Sequence, residues 1–532
     1  MPRPPTLLKR LLIFVHRWLG VVLSAVFLIW FVSGIVMMYW TYPEVGPGDR
    51  LQRAPVLDSA RIAISPEQAF AVAGRDPDPG AIRLGSFDGR PAYRFSSAGR
   101  AAARGAGTIV FADDGELLRV VDAGVMDRAA AAWARRPADE ASKRMVEEVD
   151  QWTVGSLRTV RPLFKYSWPD GQQVYVNGNS GEVVQYTTAA SRFWAYLGAI
   201  PHWLYFTPLR NRPPQWTALV VWSSLIGTIA ALIGLVIIVW MYSPRKRYRH
   251  AGAPTSIPYR GWKRWHAIAG IFFGVVATTW AFSGLLSMGP FPIINRLTEL
   301  TVPAPAEGAS TGRRGGGQGL ATALRGGRAL PLSAYTNRSP REAIAATPDF
   351  DVKEIAWTSF AGQPLYLATN SRGETRLVPM TGEPTATLEP DTVLRIVRDA
   401  LGASADVRML NQYDAYYLDR HRERPLPVVY AHVNDAVGTR YYVDPGTGTI
   451  VHQYSARGWV NRWLYHGLHS LDFPWLYNYR PLWDIVVIGL MLGGTVLCVT
   501  SIVMTWRVLS RKTAAVIRAR FNQPNDDLAL EP

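Results

Sequence analysis

The stretch HRWLGVVLSAVFLIWFVSG, residues 16–34, returns 250 positions later as HAIAGIFFGVVATTWAFSG, residues 266–284. His16, Gly20, Trp30, Ser33 and Gly34 recur as His266, Gly270, Trp280, Ser283 and Gly284. An apolar composition alone does not place five such markers in one register, so we infer an internal duplication. Each copy is long enough to cross a bilayer as a helix, which needs about 20 apolar residues. A histidine at the same end of each copy marks a candidate functional site.

The apolar residues of this 532-residue chain are concentrated in four runs, at about 11–40, 215–241, 263–289 and 482–506. Each run is almost free of charge, which predicts four transmembrane helices. The first run is too long for a signal-peptide core and lacks a small-residue cleavage site, so we expect it to remain as an anchor. The predicted fold class is an integral membrane four-helix bundle with two external α+β domains.

The formal net charge of +16 comes from basic clusters beside these runs. The clusters precede the first run, fill the loop between the second and third, and follow the fourth. The positive-inside rule therefore predicts that both termini and the middle loop are cytoplasmic. Contact with membrane lipid accounts for the charge, and nucleic acid is not an expected partner.

The predicted order follows from these boundaries. It consists of the N-terminus with the first membrane helix (1–40), a first external domain (41–212), a second membrane helix (213–242), a basic cytoplasmic loop (243–262), a third membrane helix (263–290), a second external domain (291–480), a fourth membrane helix (481–507) and a cytoplasmic tail (508–532). Each domain closes with an aromatic stretch, 193–209 or 463–479, typical of a membrane interface. The glycine-rich Thr311–Gly319 predicts a flexible loop.

Four β-rich segments with turn residues at their centres predict hairpins in the external domains. They are IVFADDGELLRV (109–120), VYVNGNSGEVVQY (174–186), RLVPMTGEPTATL (376–388) and YYVDPGTGTIVHQY (441–454). Two such segments fall in each domain, which predicts two α+β modules per domain.

Cys498 is the single cysteine and lies inside the fourth apolar run. An intramolecular disulfide, a CxxC redox pair, a thiolate zinc cluster and a CxxCH haem attachment are therefore excluded. Any haem in this protein has to be bound non-covalently.

The histidines near the membrane form two layers. His16 and His266 lie near the predicted cytoplasmic ends of two helices, whereas His202, His466 and His469 lie near the external surface. A b-type haem between membrane helices needs two neutral imidazoles from facing elements and small residues where the porphyrin meets backbone. Gly20 and Gly270, one turn beyond His16 and His266, would make that room. One haem per layer is the resulting hypothesis.

Other interpretations of these histidines stay open. A lone histidine at a membrane edge is most often a capping or lipid-facing residue. A zinc or copper site is disfavoured because Asp472 is the only carboxylate beside these histidines in the sequence. A helix would present His466 and His469 on one face, and only one need be a ligand. We prefer His469 as the partner of His202, with His466 as the alternative.

The turns YYVDPGTGTIV and VYVNGNSGEVV resemble PepSY domains. The helices beginning HRWLG and WHAIAG, with the LHS segment, resemble the PepSY-associated transmembrane family of bacterial inner-membrane proteins. The resemblance spans nearly the whole chain. It implies a bacterial inner-membrane protein with two periplasmic PepSY-like domains. His16, His266, His202 and His466 or His469 match the positions that the family would use, although no second histidine lies near His202.

Some members of that family are iron-regulated siderophore reductases with two b-type haems in a four-helix bundle. The resemblance therefore implies an oxidoreductase with two haem b groups per chain that reduces ferric siderophore in the periplasm. The sequence does not identify the electron donor, for which we expect quinol or a cytoplasmic reductant. No NAD or flavin fingerprint is present. The alternatives are a PepSY-type regulatory or binding membrane protein without redox activity and a siderophore or iron transporter.

Two further expectations concern the region of the external histidines. Four arginines there could pair with haem propionates or an acidic chelate, or could serve as interfacial anchors: Arg210, Arg212, Arg462 and Arg480. A helix rises roughly 36 Å from His16 to Trp40. The two haems would thus be close only if each lies well inside its edge of the membrane.

Overall fold

The computed structural model describes residues 7–74, 81–96, 107–289, 315–327, 329–419 and 422–521. Its helices are α1 (Leu7–Met37), α2 (Pro47–Arg53), α3 (Pro66–Ala73), α4 (Ala123–Ala134), α5 (Ala189–Leu197), α6 (Ala199–Trp203), α7 (Thr207–Arg210), α8 (Pro213–Met241), α9 (Trp262–Ser287), α10 (Gly315–Arg325), α11 (Pro340–Ala345), α12 (Pro390–Leu401), a π-type helix (Val460–Gly467), α13 (Leu468–Ser470), α14 (Pro474–Tyr477) and α15 (Leu482–Phe521).

The strands are antiparallel to their neighbours in every described sheet. They are β1 (Ala81–Phe87), β2 (Arg90–Ser96), β3 (Thr108–Phe111), β4 (Ser142–Met145), β5 (Leu163–Ser167), β6 (Gln173–Asn177), β7 (Val183–Thr187), β8 (Tyr248–His250), β9 (Ala253–Thr255), β10 (Glu354–Phe360), β11 (Gln363–Thr369), β12 (Thr375–Pro379), β13 (Asp406–Leu410), β14 (Val428–His432), β15 (Arg440–Asp444) and β16 (Thr449–Tyr454).

Two compact units divide the chain. The membrane unit comprises Met1–Tyr42, Phe193–Ile294 and Val460–Pro532, and the sheet unit comprises Pro43–Arg192 and Asn295–Trp459. Four helices of the membrane unit, α1, α8, α9 and the Leu482–Arg511 part of α15, are long and apolar enough to cross a bilayer. The four candidate membrane helices and the β-rich α+β regions that the sequence predicted are therefore present.

In the membrane unit, α1 and α9 lie on opposite sides of the bundle, because each packs against both α8 and α15. Small residues let these helices approach closely, as is usual where lipid supplies no hydrophobic drive for helix association. The ring of Phe27 fits against Gly227, and that of Phe31 fits against Gly494, where an added Cβ would overlap the ring. The two copies of the repeated stretch thus face each other across the bundle.

The sheet unit contains strands of both segments, 41–212 and 291–480, that the sequence predicted to form two domains. Its six-stranded sheet has the order β12-β11-β10-β1-β2-β3, so strands from both of these segments belong to one sheet. The segments join where β1 pairs with β10, with Arg83 opposite Ala356 and Gly85 opposite Glu354. One hydrophobic core, including Tyr93, Phe95 and Tyr366, therefore contains side chains from both segments.

Each of the two segments also contributes a four-stranded sheet of its own, β4-β5-β6-β7 or β13-β14-β15-β16. The predicted hairpins at 174–186 and 441–454 are formed by β6 with β7 and by β15 with β16. The other two segments form one strand each plus an isolated bridge, Val110 to Leu117 or Leu377 to Thr385. Beside the bridge of Leu377 to Thr385, Pro384 has no N–H to donate, which limits further strand pairing.

The expected flexible loop at Thr311–Gly319 is corrected over its described part. Residues 311–314 lie outside the described residues, but α10 begins at Gly315 and continues to Arg325. Leu320 and Leu324, one turn apart, are almost fully buried in the core that contains Val393 and Val397 of α12. Burial of this leucine face stabilises a helix that its glycines disfavour.

Candidate functional site

The first histidine pair, called the His16 pair, consists of His16 in α1 and His266 in α9. Their ring centroids lie 6.2 Å apart with an angle of 48° between the ring planes. The two histidines come from the same position of the repeated stretch. Because α1 and α9 are opposite each other in the bundle, the rings meet across its interior.

Each ring of the His16 pair is hydrogen-bonded through Nδ1. The Nδ1–H of His16 donates to the carbonyl oxygen of Ala230 over 2.9 Å. The Nδ1 of His266 lies 3.0 Å from the hydroxyl oxygen of Thr500, and that hydroxyl donates to the carbonyl of Leu497. Since the Thr500 proton is used in this way, its oxygen accepts from the imidazole. Both rings are therefore held as the tautomer that would bind a metal through Nε2.

The second pair, called the His202 pair, consists of His202 in α6 and His469 in α13. Their ring centroids lie 6.1 Å apart at an angle of 68°. Burial lowers the pKa of His202 to about 4, so this imidazole is neutral near pH 7. The structure thus places the histidine preferred from the sequence, His469, opposite His202.

Two serines of the repeated stretch hold the His202 pair. Ser33 Oγ lies 3.1 Å from Nδ1 of His202, and Ser283 Oγ lies 3.1 Å from Nδ1 of His469. The Ser33 hydroxyl donates to the carbonyl of Ile29 and the Ser283 hydroxyl to that of Trp280. Both oxygens are left to accept from an imidazole N–H, as at Thr500. The repeat markers Ser33 and Ser283 thus orient histidines that lie outside the repeated stretch.

His466 is not part of either pair. Its side chain is nearly half exposed, and its Nδ1 lies 3.9 Å from a carboxylate oxygen of Asp472. The expectation that one helix face carries His466 and His469 assumed a regular α-helix. The chain instead forms a π-type helix over Val460–Gly467 and then α13, so the α-helical spacing does not apply.

The two members of the His202 pair are related by an offset of 267 positions, which the sequence analysis missed. The motif His-x-Leu-x-Phe occurs as HWLYF at 202–206 and as HSLDF at 469–473. In both copies the leucine, Leu204 or Leu471, has a positive φ of 52° and ends the histidine-bearing helix. This short motif is the signal in the sequence that distinguishes His469 from His466.

Glycines contact three of the four paired rings. A Cβ on Gly234 would lie 2.7 Å from Cε1 of His16, and one on Gly34 would lie 3.4 Å from Cε1 of His202. The corresponding distance from Gly284 to His469 is 3.7 Å. Gly20 and Gly270, the glycines predicted to make room beside the His16 pair, have different neighbours. A Cβ on Gly270 meets no described atom within 4 Å, and one on Gly20 meets Ser501 at 3.5 Å.

The donor set of each pair fits a metal held between two imidazoles. A metal–imidazole bond is about 2 Å long and a ring nitrogen lies roughly 1 Å from its centroid, so two axial rings have centroids about 6 Å apart. Both pairs have this spacing. Two repeat-related indoles, Trp30 and Trp280, also have buried N–H groups with no acceptor among the described residues. A buried donor without a partner costs about 1–3 kcal/mol, which a bound group with acceptor atoms would offset.

The distance between the two pairs along the axis of α1 follows from the positions that each pair contacts on this helix. Nδ1 of His202 lies against Ser33 and within 3.2 Å of the carbonyl of Trp30. These residues are 14–17 positions beyond His16, which corresponds to roughly 21–26 Å along α1. The pairs are therefore closer than the 36 Å expected between the helix ends.

Buried Phe31 and Trp280, with ring centroids 5.7 Å apart, lie in the same core cluster as Cys498.

The arginines near the His202 pair have different surroundings. Arg480 forms an ion pair with Asp484, which also accepts a hydrogen bond from Tyr39. Arg462 is buried and donates to the carbonyl of Asp472. Arg210 lies over the rings of Tyr205 and Trp216.

Across the described residues, no group of three or more His, Cys, Asp and Glu side chains is arranged to hold a metal ion. The sequence model of one protein family, described as the PepSY-associated TM region, matches residues 13–348. No curated protein matches the chain.

Proposed function

Because the chain belongs to the family of the PepSY-associated TM region, we propose that it is a bacterial inner-membrane oxidoreductase with two haem b groups. Electrons would cross the membrane from quinol or a cytoplasmic reductant and reduce ferric siderophore in the periplasm. The observation that carries the proposal is the presence of two histidine pairs at the spacing of axial ligands, 6.2 and 6.1 Å between centroids.

The tautomers of the paired histidines support haem binding over a capping role. A histidine that only caps a helix or faces lipid has no need for an oriented Nε2. Here His16, His266, His202 and His469 each direct Nδ1 to an oxygen of the chain. Such second partners fix the ring orientation and raise the basicity of the coordinating nitrogen.

A bound haem supplies reversible one-electron chemistry between its ferric and ferrous states. The residues of this chain have the tasks of holding it and excluding water. The two imidazoles of each pair would hold one haem, and the chemistry that it would supply there is electron transfer. The apolar helices α1, α8, α9 and α15 would surround the His16 pair.

The direction of transfer rests on the basic clusters. Arg245, Lys246, Arg247 and Arg249 lie between α8 and α9, which favours a cytoplasmic location for that loop. His16 and His266 would then lie on the cytoplasmic side and the His202 pair on the periplasmic side. Siderophore ligands are hard, anionic oxygens. They hold Fe(III) more tightly than Fe(II), so reduction would release the iron.

The test is a redox titration followed by substrate addition. Full-length protein purified from haem-supplemented cells should be red, with split α and β bands on reduction and about two haems per chain. A ferric trihydroxamate added anaerobically to the reduced protein should reoxidise it and yield Fe(II) that a ferrous chelator captures. The gallium(III) complex of the same ligand is the matched control, because it has similar charge and shape but is not reduced here.

Each other outcome contradicts part of the proposal. Colourless, folded protein would contradict haem binding and favour a regulatory or binding protein. Haem-loaded protein that the ferric complex does not reoxidise would contradict siderophore reduction. Uptake of the intact gallium complex into vesicles that contain the protein would favour a transporter.

A further inference from the structure

The chain segments that follow the two histidines of the His202 pair have the same fold. Phe206 and Phe473 directly precede the short helices α7 and α14. The carbonyl of each accepts from the N–H four residues on, of Arg210 or Tyr477. Arg210 and Tyr477 are therefore equivalent positions of the two halves, 267 residues apart. An arginine in one half thus replaces a tyrosine in the other.

Two aromatic rings hold the guanidinium of Arg210, eight residues beyond His202. Its Cζ lies 4.4 Å from the ring centroid of Trp216 and 5.0 Å from that of Tyr205. The indole N–H of Trp216 donates to the carbonyl of Trp203, the residue after His202, over 2.9 Å. The rings of Tyr205 and Trp216 therefore hold the guanidinium, and the Trp216 hydrogen bond connects these side chains to the residue after His202.

Arg210 is not neutralised within the described part of the chain. It forms no ion pair with a described carboxylate, and its Nε is buried without an acceptor there. Asp484, in the first turn of α15, is already bound by Arg480 and Tyr39. An interfacial anchor would need only its charge in water, whereas this guanidinium has a buried N–H. Arginine presents a planar set of donors that matches a carboxylate in two-point contact.

We propose that Arg210 is a carboxylate-binding residue beside the His202 pair. The proposal deepens the proposed function and rests on it. Two sources could supply the carboxylate: a propionate of the haem held by His202 and His469, or a carboxylate of an anionic ferric chelate. Tyr477 lacks this charge, so the site exists in one half only.

The test compares Arg210→Gln with Arg480→Gln, which removes an arginine that already has a carboxylate partner. Haem content and the midpoint potential of the His202-pair haem are measured first. If the partner is a propionate, Arg210→Gln makes reduction less favourable by at least tenfold, which is about 59 mV for one electron. The haem of the His16 pair and the Arg480→Gln protein change less.

The second measurement is equilibrium binding of redox-inert gallium(III) complexes to the full chain. If the partner is the chelate, Arg210→Gln weakens binding of a gallium(III) citrate complex at least tenfold. Binding of an uncharged gallium(III) trihydroxamate stays the same, and so does the haem spectrum. This measurement does not depend on electron transfer, so it separates failure of this proposal from failure of the reductase function.

Unchanged potential and unchanged binding in Arg210→Gln would overturn the proposal and leave Arg210 as an interfacial anchor. Arg210→Lys retains the charge without the planar donor set and should show a partial effect in whichever measurement responds. If Arg210→Gln does not accumulate in the membrane, Arg210→Lys decides alone. Wild-type values of potential and citrate-complex binding in that variant would then overturn two-point carboxylate recognition.

Discussion

Trp216 and Trp483 make the same hydrogen bond at positions 267 residues apart. The indole N–H of Trp216 donates to the carbonyl of Trp203, and that of Trp483 donates to the carbonyl of Ser470. Trp203 and Ser470 directly follow His202 and His469. The first turn of each of the membrane helices α8 and α15 is thus hydrogen-bonded to the residue that follows a paired histidine.

The two histidine pairs should be separable by substitution. His16→Ala or His266→Ala should remove about one haem per chain and spare the other, because each haem needs both of its axial imidazoles. His202→Ala or His469→Ala should remove the other haem. Haem content and low-temperature absorption spectra measure the result. His466→Ala is the matched control, since His466 lies outside both pairs, and full haem retention in all four paired variants would contradict the assignment.

The hydroxyls of Ser33 and Ser283 should affect the haem affinity and the midpoint potential at the His202 pair. Ser33→Ala or Ser283→Ala removes a hydroxyl acceptor of an imidazole Nδ1–H, so each ligand becomes less basic and less well oriented. The effect should be smaller at Ser33, because the Trp30 carbonyl also lies within 3.2 Å of the His202 Nδ1. We expect haem affinity to fall by about 10–100-fold and the midpoint potential of that haem to rise. The control is Ser223→Ala in α8, whose hydroxyl donates to backbone carbonyls of its own helix and to no other described residue. An equal effect of Ser223→Ala would show a loss of general packing instead.

Gly234→Ala should disturb the His16 pair specifically. The new methyl group would lie 2.7 Å from Cε1 of His16 and 3.3 Å from Nδ1, so the ring must move and its bond to the Ala230 carbonyl must lengthen. Loss of one haem with the spectrum of the His202-pair haem unchanged is the expected outcome. Gly489→Ala in α15, where a Cβ meets no described atom within 4 Å, should leave both haems in place.

Sidedness can be measured with cysteine labelling. In a Cys498→Ala background, Arg372→Cys lies at the exposed turn between β11 and β12, and Arg249→Cys lies in the exposed middle of β8. A membrane-impermeant maleimide added to cells with a permeabilised outer membrane should label Arg372→Cys. It should label Arg249→Cys only after lysis, because basic loops remain in the cytoplasm. The reverse pattern would invert the proposed electron path.

Helix α10 should contribute to the stability of the sheet unit. Leu320 is almost fully buried, so Leu320→Ala should lower the free energy of unfolding by about 2–5 kcal/mol. Urea unfolding followed by circular dichroism measures the change. Thr322→Ala, at an exposed position of the same helix, is the control and should have little effect. A similar midpoint for both variants would mean that α10 does not pack as described.

The local sequence pattern was sufficient to predict the membrane helices and the first histidine pair. Apolar runs of about 20 residues have few alternatives to a spanning helix, and the repeat alone matches His16 with His266. The hairpins at 174–186 and 441–454 were predictable for a similar reason, since neighbouring strands and their turn carry the whole signal.

Only the tertiary structure decided the features that depend on distant contacts. The pairing of β1 with β10 joins residues about 270 positions apart, and the edge of a strand carries no mark of its partner. The position of His466 outside both pairs depended on a π-type helix that breaks the α-helical spacing. The tautomers of the four histidines depended on hydroxyl and carbonyl oxygens of other helices, such as Ser33 and Ala230. A hydrogen bond between helices is set by packing, and the sequence of either helix does not contain it.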